Sequence, residues 1–129
     1  MEPRVALDVL DCRADNEPGR WLVRWTVTNH GASAVRLHTV WIPHGRFRGD
    51  GRLPLSRVLE PGESFVLPLL VRAREEPGTR VDNAYLILQV STDGQAWRLF
   101  TRMRVEFDTQ AAPRPIVEVI TTAPAAAER

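Results

Sequence analysis

Apolar and polar side chains alternate most clearly between residues 20 and 29. The segment Arg20–Asn29 reads Arg-Trp-Leu-Val-Arg-Trp-Thr-Val-Thr-Asn, and one set of alternate positions is entirely apolar: Trp21, Val23, Trp25 and Val27. This period of two, in a run rich in aromatic and β-branched residues, predicts a half-buried strand. Two tryptophans on one face bury about 150–250 Å² each, so a second layer of structure has to cover them.

Six further segments show strand patterns, separated by turn signals rich in Gly, Pro, Asn and Asp. They span residues 4–12, 34–42, 55–59, 64–72, 84–91 and 96–108. The pattern of 34–42 changes parity near Thr39, which predicts either a β-bulge or a strand covered on both faces. Pro68 has no amide donor, which favours an edge position or a bulge. Asp93-Gly94 between the last two patterns is typical of a tight hairpin.

Composition changes after residue 108. Residues 1–108 contain all seven strand patterns and predict one domain, whereas 109–129 predict a Pro/Ala-rich tail with a linker at 110–115 and a disordered Ala-rich end. Inside this tail, Ile116 to Ile120 have the composition of one additional strand. Two alternatives stay open for it: pairing with a sheet of its own domain, or addition to the sheet edge of a neighbouring chain, which makes a dimer.

Seven short strands without helical periodicity predict an all-β, antiparallel β-sandwich. Three features identify a related superfamily: Trp-Thr-Val-Thr-Asn-His-Gly at 25–31, Leu-Glu-Pro-Gly-Glu-Ser at 59–64, and Tyr85 at the start of the sixth strand. On these features the chain resembles the immunoglobulin-like superfamily over roughly residues 5–107, in its fibronectin type III and bacterial adhesion-domain (CARDB-like) versions. The resemblance implies that Trp25 is the buried tryptophan of a fibronectin III domain and that Tyr85 forms a tyrosine corner. It also implies a binding or spacer role.

Charge and composition restrict the class of partner. The formal net charge is +1, so no overall field attracts nucleic acid or an acidic membrane, and a protein partner is expected. The lone Cys12 excludes an internal disulfide and a Cys-pair metal site. The start Met-Glu-Pro-Arg is unlike a signal peptide, and no apolar run reaches membrane-spanning length. The expected location is therefore cytoplasmic and the expected state soluble.

Catalytic and metal-binding motifs are missing from the sequence. There is no Gly-x-Ser-x-Gly, phosphate loop or Cys–His arrangement, so neither an enzyme nor a cofactor is expected. His30 and His44 flank one predicted strand about 30 Å apart, with His38 between them, which argues against a histidine metal site.

The last strand pattern also places arginines on its outward face, namely Arg98, Arg102 and Arg104. We interpret them as solvation and edge protection, because Phe100 is the only aromatic residue among them.

Connections of an antiparallel sandwich alternate between its two ends. The short turns at 29–33, 60–63 and 92–95 therefore share one end, and the longer loops at 13–19, 43–53 and 73–83 share the other. Long loops on a rigid sandwich are common binding sites. The candidate binding residues at that end are Arg46, Phe47, Arg48, Asp50, Arg52 and Asp82.

Two interpretations of the long-loop end stay open. Acidic and basic loops neutralise each other through surface ion pairs, which is the favoured interpretation, or they bind a partner or calcium through Asp15, Asp50 and Asp82. The sequence thus predicts a non-enzymatic protein-interaction or structural module that pairs with itself through Ile116 to Ile120. The alternative is a ligand- or glycan-binding module that uses the long loops.

Overall fold

Two antiparallel sheets packed face to face make up the computed structural model, which describes residues 1–125. The four-stranded sheet has the order β1-β2-β6-β4, and the five-stranded sheet has the order β5-β3-β7-β8-β9. The strands are β1 (Val5–Ala14), β2 (Arg20–Asn29), β3 (Val35–Trp41), β4 (Arg48–Gly49), β5 (Leu53–Leu59), β6 (Ser64–Arg72), β7 (Arg80–Thr92), β8 (Gln95–Phe107) and β9 (Pro113–Pro124). The prediction of an all-β antiparallel sandwich is confirmed, with nine strands in the described residues instead of about seven.

One apolar core fills the space between the sheets, and β2 contributes its centre. Val23, Trp25 and Val27 are fully buried, as the alternation of β2 predicts. The opposite sheet covers them with alternate residues of β7 and β8: Leu86, Leu88, Val90, Leu99, Met103 and Val105. Trp21 lies at the end of the same row and is half-buried, and its indole Nε1 donates to the carbonyl of Ala73 at 2.9 Å.

Local signals in the sequence produce the predicted irregularities. The register of β3 shifts between Leu37 and Thr39, which confirms a β-bulge. Asp93 and Gly94 have φ angles of 51° and 75°, so both central residues of the β7–β8 hairpin are left-handed, as its two-residue turn requires. Pro68 lies on β6, which pairs along its length with β2 on one side and only with two-residue β4 on the other. The predicted edge position of Pro68 is therefore confirmed.

The predicted tail contributes β9 to the five-stranded sheet. Residues 116–120 pair with β8 of the same chain, with Val117 opposite Met103 and Ile120 opposite Thr101. The side chains of Val117 and Ile120 pack against the core. This is the first of the two alternatives that the sequence left open. The predicted linker is wrong at residues 113–115 and the predicted disorder is wrong at 121–124, since both belong to β9. The rest of the Ala-rich end, 126–129, lies outside the described residues.

Candidate functional site

The three long loops meet at one end of the sandwich, as the alternation of connections predicts. The amide of Ala73 donates to the carbonyl of Gly19 at 2.9 Å, which joins the loop after β6 to the loop before β2. The guanidinium of Arg46 binds both oxygens of Glu75, at 2.7 Å and 3.2 Å, which adds the loop after β3. These hydrogen bonds lower the pKa of Glu75 and raise that of Arg46.

Charges at the long-loop end are largely paired with one another. The carboxylate of Asp50 lies 3.9 Å from Arg20 and 3.8 Å from Arg72, and Arg20 also contacts Asp15 at 3.0 Å. Exposed pairs of this kind contribute little to stability, but they neutralise the surface on which they lie. This arrangement agrees with the interpretation of mutual neutralisation.

Two of the candidate binding residues, Phe47 and Arg48, lie in the core and in a strand. Phe47 is fully buried in the core, so its side chain does not lie on the surface of the loops. The glycine-rich stretch around it suggested exposure, but the short turn before β4 directs the ring inward. Arg48 belongs to β4 and lies opposite Arg72 of β6.

The remaining two candidates lie apart from the loop cluster. The guanidinium of Arg52 stacks 4.1 Å from the ring centroid of Trp41. Asp82 belongs to β7 and accepts a hydrogen bond from Arg80 of the same strand at 2.8 Å. Of the six candidates, the structure therefore brings Arg46 and Asp50 into the network of loops.

Within residues 1–125, no three His, Cys, Asp or Glu side chains are grouped so that they could hold a metal ion. Burial raises the pKa of the Cys12 thiol to about 11, which keeps it protonated and unreactive near neutral pH. His38 Nε2 lies 2.8 Å from Ser91 Oγ, but the pair lies on an open sheet face and is a cross-strand hydrogen bond.

The outer edge of β9, which β1 contacts without strand pairing, is a surface that the sequence did not predict. The amide of Asp108 donates to the carbonyl of Ala112, and the amide of Ala125 donates to the carbonyl of Ala96. Backbone groups of alternate residues point to the same side of a strand. Counting from these two bonds, residues 112, 114 and 116 and residues 119, 121, 123 and 125 face β8. The residues that face away from β8 are Pro113, Pro115, Val117, Ile120, Thr122 and Pro124.

All three prolines of β9 thus occupy outward positions, where they remove amide donors from the edge. Between them an unblocked window, residues 117–122, presents the amides and carbonyls of Val117, Ile120 and Thr122. Arg102 and Met103 of β8 pair with Val119 and Val117, so Glu118 is an extra residue of β9 and forms a bulge inside this window. Val119 in the same window is 41 % exposed.

The turn before β9 is held by Asp108, whose carboxylate accepts hydrogen bonds from the amides of Ala112 and Gln110, each at 2.9 Å. These bonds lower the pKa of Asp108. A carboxyl group with a lowered pKa in the folded state stabilises the protein above its unfolded pKa, and this contribution disappears as the pH falls through the folded value.

We therefore expect Asp108→Asn to destabilise the protein near neutral pH, because an amide oxygen accepts these bonds more weakly than a carboxylate. In strong acid, where the carboxyl of the unchanged protein is protonated, the difference shrinks. Urea unfolding of both proteins across the acid range measures it. Asp8→Asn on the exposed face of β1 is the control. A gap that stays constant with pH contradicts the role of the carboxylate.

The outward face of the five-stranded sheet is the second surface. Trp41, Ile87, Phe100 and Thr121 are successive cross-strand partners on β3, β7, β8 and β9, so they form one row across the sheet. Tyr85 shares the outward side of β7 with Ile87, because Leu86 and Leu88 face the core. The side chain of Tyr85 therefore points away from the core, which does not fit the tyrosine corner that the resemblance implies.

These features define a class: an antiparallel β-sandwich with one unblocked edge window and an aromatic, arginine-rich sheet face. A comparison with protein-family models finds none that matches the chain, and a comparison with curated proteins finds no match either. Among the described residues, no helix is long and apolar enough to cross a membrane. Function therefore has to be inferred from these surfaces.

Proposed function

We propose that this protein is a non-enzymatic interaction module that binds a second copy of itself by antiparallel strand pairing at the β9 edge. The observation that carries the proposal is the window at 117–122, in which outward amides and carbonyls are unpaired by the described chain and are bounded by Pro115 and Pro124. Unpaired edge groups of this kind are a template for another strand, and main-chain hydrogen bonds supply the affinity.

The other three edges support this choice, because each carries a feature that opposes pairing along its length. The register of β1 shifts between Val9 and Asp11, which leaves Leu10 50 % exposed at a bulge. The edge strand β5 contains Pro54 and a left-handed Ser56, with a φ angle of 48°. The free side of β6 contains Pro68 and is partly covered by β4. On β9 the prolines lie near the ends and the bulge at Glu118 lies at the start of the window, so residues 119–122 are the regular, open part of this edge.

The strand order supports an immunoglobulin-like module with the fibronectin III arrangement. When β1, β2, β3, β6, β7 and β8 are lettered A, B, C, E, F and G, one sheet contains A-B-E and the other contains C-F-G, with β5 added beside C. Buried Trp25 agrees with this resemblance, whereas outward Tyr85 does not. Modules of this superfamily mostly bind other molecules, which supports a binding role by analogy.

Replacing Thr122 with proline tests the proposal. The amide of Thr122 faces away from β8, so Thr122→Pro removes an edge donor while the β8–β9 hydrogen bonds remain. We expect sedimentation velocity to show a concentration-dependent dimer for the unchanged protein and a monomer for Thr122→Pro.

Thr122→Ala is the matched control, because it shortens the side chain and keeps the amide. This variant is expected to dimerise like the unchanged protein, and circular dichroism with thermal melting shows whether all three proteins are folded. An unchanged protein that stays monomeric at every concentration, or a folded Thr122→Pro variant that dimerises equally well, overturns the proposal.

A further inference from the structure

We infer that the outward face of the five-stranded sheet is a docking surface for an acidic protein segment that also carries apolar side chains. The centre of this surface is the row Trp41–Ile87–Phe100, and it is bordered by the neighbouring rows of the same sheet. Gln89 lies opposite Arg98 in one bordering row, and Tyr85 lies opposite Arg102 in the other. Phe100 therefore has an arginine on each side along β8.

Burial shows that this face is unlike an ordinary solvated sheet surface. Ile87 is 9 % exposed and Gln89 4 % exposed, although both lie on the outward side of β7. On the same face, Trp41, Tyr85 and Phe100 are half-buried. The result is a nearly dry apolar centre with an aromatic border. Hot spots of protein interfaces are likewise well-packed residues from which the surrounding contacts exclude water.

Charge on the face selects the class of partner. Arg36 and Arg98 make no ion pair within the described residues 1–125, whereas Arg102 lies 3.7 Å from Glu118. Arg104 contacts the same Glu118 carboxylate at 3.3 Å and also contacts Glu106 at 2.9 Å, so among the described residues the positive charge without an ion pair on this face lies at Arg36 and Arg98. Arginine with aromatic residues is the composition enriched at protein interfaces, and guanidinium groups bind carboxylates in a bidentate manner. The face therefore complements carboxylates that border an apolar side chain.

A protein segment fits these observations better than single-stranded nucleic acid does. Stacking of bases needs free aromatic faces, and one face of the Trp41 ring is already occupied by Arg52. The interpretation of the β8 arginines as simple solvation overlooked Trp41 and Tyr85, which neighbouring strands bring beside Phe100.

Fluorescence anisotropy with the full chain and three labelled probes tests the inference. The probes are a peptide of alternating glutamate and leucine, the same peptide with glutamine in place of glutamate, and single-stranded oligothymidylate. We expect the glutamate peptide to bind, in a salt-sensitive manner, and the other two probes to bind far more weakly. Equal binding of the glutamine peptide, preferential binding of oligothymidylate, or no binding of the glutamate peptide overturns the inference.

Variants locate the binding on this face. Phe100→Ala is expected to lower the affinity for the glutamate peptide about tenfold or more. Arg98→Gln is also expected to lower this affinity, although it removes a charge and no apolar packing. Val66→Ala and Arg13→Gln are matched controls, because both residues are exposed on the four-stranded sheet. If the controls weaken binding as much as Phe100→Ala and Arg98→Gln do, the assignment to this face is wrong. The monomeric Thr122→Pro variant should still bind, which separates this inference from the proposed function.

Discussion

Replacing Trp25 with alanine is expected to lower the free energy of unfolding by about 3–5 kcal/mol, because truncation of a fully buried aromatic side chain removes its packing and leaves a cavity. Trp25 lies at the centre of β2, between Val23 and Val27, and the opposite sheet covers it. The surrounding strands belong to two hydrogen-bonded sheets, so they have little freedom to collapse into the space. Urea unfolding followed by circular dichroism measures the loss.

Trp25→Phe is the informative control for this position. The indole Nε1 of Trp25 is buried and has no hydrogen-bond partner within the described residues, so phenylalanine removes ring volume without breaking a hydrogen bond. We expect a loss well below that of Trp25→Ala. If phenylalanine destabilises the protein as strongly as alanine does, the stabilisation comes from a polar contact of the indole and not from packing.

Strand patterns that repeat every two residues made most of the sandwich predictable. The alternation in β2 depends only on which side each side chain faces, and the Asp93-Gly94 turn depends only on the backbone of two residues. Two strands escaped this reasoning for different reasons. With two residues, β4 is too short to show a period. In β9, prolines at both ends resemble a linker, and only the pairing with β8 shows that they occupy outward positions.

The surfaces were harder to predict, because they depend on register between strands. Parity within β8 identifies Arg98 and Phe100 as outward residues, and it does so correctly. It cannot show that Trp41 and Ile87 are their neighbours, since the bulge in β3 sets that alignment. In the same way, the alternation of connections predicted that the long loops meet, but it could not show that Phe47 turns inward.

The two proposed surfaces belong to the same sheet, which has a consequence for assembly. Strand pairing at the β9 edge joins the five-stranded sheets of two copies into one continuous sheet. Thr121 ends the row that begins at Trp41, so the row reaches the strand at which the second copy adds. A dimer formed in this way presents two acidic-segment sites on one extended face, and multivalent partners bind such an arrangement more tightly than they bind a monomer.

The second large effect is expected at the opposite end of the sandwich, where fully buried Asn29 joins the β2–β3 turn to the β5–β6 turn. Its Nδ2 donates to the carbonyls of Ser33 and Leu59, each at 2.9 Å, and its Oδ1 accepts from the amide of Gly31 at 2.9 Å. Asn29→Ala leaves these backbone groups without their partner, at a cost of about 3 kcal/mol in the free energy of unfolding. Thr28→Ala is the control, because that side chain makes an exposed cross-strand contact with Ser64, and its loss should cost about 0.2–1 kcal/mol.

Asn29→Asp separates the hydrogen bonds from the space that the side chain fills, because it keeps the shape and removes both donors. A carboxylate at this position faces the carbonyl oxygens of Ser33 and Leu59, so burial and repulsion raise the pKa of the introduced carboxyl group. A pKa that is raised by folding makes the protein most stable in acid, and that stability is lost as the pH rises. The deficit of Asn29→Asp relative to the unchanged protein should therefore shrink as the pH falls, when a protonated carboxyl group donates to one carbonyl again. Urea unfolding across the acid range decides the question. A variant that is as stable as the unchanged protein at every pH would mean that Asn29 acts by filling space.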